Sequence, residues 1–314
     1  MQHPQFASGL AFAFLAVLFW GAQFPIAKDA FAAVDPYHVT AIRYCVGTLL
    51  LVPIVAASQG PAGLRYYGRA WPASVLGVIG MAGSPLLVFA GLGMTRAEHA
   101  AIIVSLQPSM TAIADWWLRG RRPARFTIGC IVTAFGGVVL VVTKGNPTLG
   151  LSRQEIVGDL LVVVGAACWV VYTMGTEHFR GWSALKFTVL TLIPGSIALV
   201  VTTAVLVALG IARVPTAAAA ASVAPQLAFL ALGGVLAAMI LWNAGNQRIG
   251  ALNSMLMLNL MPVIVFTIRF AQGQRFAPVE LLGAALVIGA LIANNLYLRA
   301  THRARASSQT SSES

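Results

Sequence analysis

Trp20, Gln23 and Phe24 are spaced i, i+3, i+4, so a helix places them on one face. Trp169, Tyr172 and Thr173 repeat that spacing farther along the chain. Aromatic faces carrying an amide or hydroxyl stack an apolar body and hydrogen-bond a polar head, which suits a zwitterion with an apolar side chain. Trp242, Asn243 and Asn246 form a third group, and Met255, Asn259 and Pro262 a helical stripe. Asparagine binds an ammonium through its oxygen or a carboxylate through its nitrogen, and it also ties helices together. His99 is either a proton-linked or substrate-contacting group, or an interfacial histidine satisfied by its surroundings. For Trp20 and Trp169, binding and ordinary packing both remain open. Trp116, Trp117 and Trp182, near helix ends, fit an interfacial aromatic belt.

Catalysis finds little support. Five scattered histidines, no HExxH and no GxSxG argue against a membrane-embedded enzyme. Cys45, Cys130 and Cys168 lie far apart in apolar runs without metal-ligand spacing and read as packing residues. No catalytic residue, metal or cofactor is therefore expected. Most charges have structural readings. Thr95-x-x-Glu98 and Ser152-x-x-Glu155 match capping boxes, Glu280 sits in a first helical turn, and Asp115 can pair with Arg119. Arg43 and Lys186, within or near apolar runs, are expected to snorkel to the surface.

The elements that must position these groups follow from composition. Of 314 residues, 58% are apolar and 9% charged, against roughly a quarter charged in soluble domains. A net charge of +11 is spread over short breaks between apolar runs, a pattern that faces lipid headgroups and argues against a nucleic-acid partner. The expected fold is an all-α polytopic membrane protein with spans at 9–28, 37–57, 71–93, 96–118, 126–143, 156–175, 183–209, 225–246, 250–271 and 279–298. Each can cross a hydrocarbon core of about 30 Å with some tilt. The run from Leu10 to Ala27 has no preceding basic residue and no small-x-small cleavage site, so it is expected to remain as the first span. With the N-terminus inside, eleven Lys and Arg fall on the cytoplasmic side and seven outside, the cluster from Arg119 to Arg125 weighing most. That bias places both termini in the cytoplasm of a bacterial-type inner membrane.

An internal repeat organises the spans. Shifting by 149 residues brings Gly9 and Trp20 onto Gly158 and Trp169; shifting by 154 brings Gly80, Ala90, Gly91, Ala97, Leu106 and Pro108 onto Gly234, Ala244, Gly245, Ala251, Leu260 and Pro262. The chain thus divides into a short N-terminus (1–8), a first five-helix repeat (9–143), a linker (144–155), a second five-helix repeat (156–298) and a disordered cytoplasmic tail (299–314). Five is odd, so the second repeat enters the membrane from the opposite side. Inverted repeats of this kind build carriers that open one central site to either side in turn. Pro108 and Pro262 each remove an amide donor at matching depth and act as hinges or as bends of packing helices. Small-residue stripes at Gly129, Thr133 and Gly137, and at Ala285, Gly289 and Ala293, permit close helix packing within one chain or between two. A monomer in lipid is the simpler expectation.

The first span LFWGAQFPIAK and the paired segments SLQPSMTAIADWWLRGRR and NLMPVIVFTIRFAQGQR, each followed by a Gly-rich span, resemble the drug/metabolite transporter superfamily and its EamA-type exporters. The resemblance covers nearly all of residues 9–298. The segment from Trp242 to Gly245, with Trp20 and Trp169, is similar to the aromatic amino acid exporters of the YddG type. It implies export of amino acids or related metabolites through a central cavity, with efflux of drugs or other metabolites as the alternative. Arg121 and Gln274 stand where such proteins often carry a Glu, so a role for that acid does not transfer. The first span also lacks the proton-coupling Glu of the small multidrug pumps, which argues against cation-for-proton exchange.

Overall fold

The computed structural model describes residues 3–145, 152–179, 181–249 and 257–310, without the side chains of 3, 4, 299 and 302–310. Met255 lies outside the described residues. All described secondary structure is helical. Among the described residues eight helices are long and apolar enough to cross a membrane: α1 (Gln5–Ala30), α2 (Pro36–Gln59), α3 (Ala70–Met94), α5 (Arg125–Thr143), α6 (Arg153–Phe179), α7 (Ala184–Ala208), α8 (Ala224–Ile249) and α10 (Pro278–Leu298). Between them, α4 consists of Ala97–Ser105 and Gln107–Arg119, and α9 is Leu260–Ala271.

Local chemistry sets many of the helix ends. Asp35 accepts from the amides of Tyr37 and His38, both at 3.0 Å, ahead of Pro36 in the first turn of α2. Ser152 and Glu155 form the expected capping box on α6. The one expected at Thr95 and Glu98 does not form, because both side chains are taken by other partners. The Thr95 hydroxyl donates to Asp159 at 2.6 Å, while Glu98 takes Arg96 and Arg269. Pro194 within α7 cannot donate to the Leu190 carbonyl, and the Tyr66 hydroxyl fills that vacancy at 2.9 Å. The last helix runs on past residue 298 to Thr310, so the backbone is helical through most of the expected disordered tail.

Two irregularities recur in both halves. α4 breaks at Leu106, and α9 starts after a turn residue at Asn259. Pro108 and Pro262 therefore lie in the first turns of fresh helical segments, where a missing amide is tolerated, and do not bend continuous helices as expected. α3 carries a π-helical segment at Val78–Gly83, and α8 carries one at Phe229–Ala237, which contains the residues matching 78–83 at the 154-residue shift.

Packing is also paired. α1 lies on α8 and α9, while α6 lies on α3 and α4; α2 meets α8 as α7 meets α3, and α5 packs on α10. Glycines set the closest approaches. A Cβ at Gly91 would sit 2.4 Å from the Gly158 carbonyl, and one at Gly245 3.1 Å from the Gly9 carbonyl, the matching place in the other pair. Gly137 and Gly283 bring α5 against α10 in the same way, whereas Gly129 and Gly289 of the small-residue stripes face open space. Leu49, Val132 and Ile197 project outward, as expected of lipid-facing surface.

Candidate functional site

A cavity of about 610 Å3 lies among α1, α2, α3, α4, α6, α7, α8 and α9. Nine of the eleven candidate substrate-binding residues line it: Trp20, Gln23, Phe24, Trp169, Tyr172, Thr173, Trp242, Asn243 and Asn246. The helical spacing of the first six explains how two distant segments present matched faces to one space. The Trp20 and Trp242 rings stand 5.2 Å apart, and Trp169 and Tyr172 5.1 Å apart. The Trp20 indole donates to the Gly234 carbonyl at 3.0 Å, so it is anchored as well as exposed to the cavity. Asn243 is occupied by the Met239 carbonyl, whereas the Asn246 side-chain oxygen is buried without a partner. Val104 and Gln107 beside one helix break, and Leu258 and Met261 beside the other, also form the wall.

His99 and Asn259 are not part of this lining. Asn259 is 1% exposed beside the α9 break, with neither side-chain atom hydrogen-bonded to a described residue. His99 is sequestered near the start of α4, 3.2 Å from the Thr95 hydroxyl and 3.4 Å from Asp159. Both side chains are buried in protein, which spacing in a single sequence does not reveal.

The cavity contains a cation. Arg43, 3% exposed, does not snorkel to a surface; it lines the cavity and donates to Gln23 at 2.5 Å. Its guanidinium lies 3.7 Å from the Phe89 ring centre and 5.0 Å from that of Tyr44, and its Nε has no partner. The other expected snorkelling cation, Lys186, is tucked in as well. It donates to the Ala62 carbonyl at 2.7 Å between Tyr67 and Trp182, in a smaller side cavity of about 560 Å3. Trp182 lines both cavities, so it is more than the interfacial tryptophan expected.

One end of the bundle is closed by charge. Lys28 donates to the carbonyls of Leu92, Gly93 and Thr95, Arg96 pairs with Glu280 at 2.6 Å, and Glu98 lies between Arg96 and Arg269. Thr95, His99 and Asp159 join α6 to the same network. None of these residues lines the cavity, which reaches instead toward Thr176, Trp182 and Ala184 at the connection between α6 and α7. There Arg119 pairs with Asp115, as expected, and also with Glu177.

The model of the EamA-like transporter family matches residues 7–143 and 156–296, nearly the whole chain. The chain belongs to that family. The uncharacterized transporter YrdR of Bacillus subtilis is 31% identical over 304 residues, covering 95% of this chain and 94% of its own. The uncharacterized transporter YyaM of the same organism is 30% identical, covering 89% and 91%. An uncharacterized transporter of Archaeoglobus fulgidus is 31% identical over about half of each chain, covering 51% and 54%. A crystal structure sharing 20% identity superposes with a TM-score of 0.66, covering 94% of this chain and 99% of its own, and supports the fold alone.

This EamA-like transporter is thus a multi-pass membrane protein. What its geometry offers chemically is stacking on at least two aromatic pairs, a few hydrogen-bonding groups, and one buried positive charge. Sequence reasoning missed Arg43, Phe89 and Gln107. For Arg43 one signal was present: no acid stands three or four residues away on its own helix to pair with it.

Proposed function

We propose that this chain is an inner-membrane secondary transporter that exports small metabolites, above all amino acids with aromatic and other apolar side chains, by alternating access through the central cavity. The observation that carries this reading is a cavity walled by matched faces of the two halves, reaching one end of the bundle while charge closes the other. Trp20, Gln23 and Phe24 on α1 answer Trp169, Tyr172 and Thr173 on α6, and Trp242, Asn243 and Asn246 complete the binding surface. His99 and Asn259 drop out of that surface.

The reading takes the two family-model segments as inverted repeats of five spans, α4 and α9 being the broken ones. Pairing of α1 with α8 and of α6 with α3 supports it, because exchange of two halves requires like contacts in each. The helix breaks beside Pro108 and Pro262 fall on the cavity wall and serve as the hinges. With both termini cytoplasmic, the cavity reaches the cytoplasmic end and the ion network closes the outer one. A monomer in lipid suffices, since one chain completes the cavity.

Purified protein in proteoliposomes tests this. Saturable uptake of labelled phenylalanine or leucine with counterflow is expected. Ohmic current would mean a channel, product formation an enzyme, and counterflow of cationic drugs without amino acids a multidrug carrier.

A further inference from the structure

Arg43 is an anomaly in its setting. A cation within a spanning helix is costly unless it is paired, and Lys28, Arg96 and Arg269 at the closed end have carboxylate or carbonyl partners. Among the described residues Arg43 has only the neutral Gln23 oxygen and the faces of Phe89 and Tyr44. Among the described residues no Asp or Glu lines the cavity, so its walls carry one formal positive charge and no negative one. Guanidinium has five N–H donors in a planar fork matched to carboxylate oxygens. The Gln23 bond and the Phe89 face hold that fork in place, and the remaining donors are left for something that enters.

Resting on the transporter reading above, we propose that Arg43 is the anchor for a substrate carboxylate. The transported class is then monocarboxylates with an aromatic or branched apolar body. Amino acids belong to it through their carboxylate, and amines lacking one are excluded. The carboxylate supplies the missing counter-charge through two parallel N–H···O bonds, and the body stacks between the Trp20 and Trp242 pair and Trp169. An ammonium meets no acid on these walls, so it contributes less than the carboxylate.

Three probes with one body separate the charges: 3-phenylpropionate, phenylalanine and phenethylamine. Binding is read by tryptophan quenching in detergent and transport by counterflow in proteoliposomes. Phenylpropionate and phenylalanine should bind, and phenethylamine about tenfold more weakly or worse, because it brings a like charge to Arg43. Arg43→Gln should weaken phenylpropionate roughly 30-fold or more, the loss expected when one partner of a buried charge pair is removed. Arg43→Lys should recover part of the loss, lacking the fork. The unfolding temperature of Arg43→Gln should stay at or above that of the parent, since the unliganded protein loses an uncompensated charge.

The proposal is overturned if phenethylamine binds as well as phenylpropionate, if none of the three binds, or if Arg43→Gln keeps the carboxylate preference. It also falls if that variant unfolds earlier and loses all probes equally, which marks a structural arginine. Carboxylate-selective binding without counterflow would remove the transporter reading and leave the anchor standing. Counterflow without carboxylate preference would do the reverse.

Discussion

Two regions of this molecule draw cations into the protein and treat them in opposite ways. At the closed end, Lys28, Arg96 and Arg269 are held by backbone carbonyls or by Glu98 and Glu280, themselves 1% and 3% exposed. In the cavity, Arg43 is hidden more fully than any of these cations and has no carboxylate partner among the described residues. The closed end offsets the desolvation of charge with the chain's own acids, and on the proposed reading the cavity leaves it to a ligand. On the reading proposed above, paired charge marks the seal and the unpaired Arg43 marks the binding site.

Breaking the seal should produce the larger effect. Glu98→Gln leaves Arg96 with only Glu280 and Arg269 without its carboxylate, a loss of roughly 3 kcal/mol. That is the low end for a broken buried pair, because the Arg96 and Arg269 side chains keep 20% and 25% exposure. Thermal unfolding in detergent should show it as a clear drop in midpoint; an unchanged midpoint would mean that the network contributes no stability. Next in size is Gly158→Ala. Its new Cβ would stand 2.8 Å from the Gly91 carbonyl and 3.0 Å from the Thr95 amide, wedging α6 from α3 beside the same network. Overpacking of this kind costs about 1–3 kcal/mol. Gly129→Ala meets nothing within 4 Å and should be neutral or slightly stabilising, so equal behaviour of the two variants would discredit the packing.

Much of the architecture could be read from the chain, for physical reasons that also define the limits. Apolar runs of membrane-spanning length predict the eight long helices directly. The i, i+3, i+4 faces at Trp20 and Trp169 project onto one cavity because helix periodicity is local. The glycines that match under the repeat, Gly91 with Gly245 and Gly9 with Gly158, turn out to be points of close helix approach. Long-range partners were not legible. Thr95 fits a capping box by spacing, but its hydroxyl is taken by Asp159, 64 residues away. Arg43 reads as a snorkelling side chain until Gln23 and Phe89 are seen around it. The π segments of α3 and α8 have no residue signature, since the widened turn is a property of packing.

The smallest predicted effect asks whether the cavity wall is built or merely filled. Trp20→Phe keeps an aromatic ring beside Trp242 but removes the indole N–H that holds the Gly234 carbonyl at 3.0 Å. That carbonyl belongs to the π segment of α8. One lost hydrogen bond of this kind costs about 1 kcal/mol. The same loss at a binding surface should weaken phenylalanine quenching roughly fivefold, with a small fall in unfolding midpoint. Trp117→Phe, at an exposed helix end, should change neither reading. If Trp20→Phe matches Trp117→Phe in both, Trp20 is a packing residue, and the carboxylate end of the cavity would have to bind with less help from its aromatic wall.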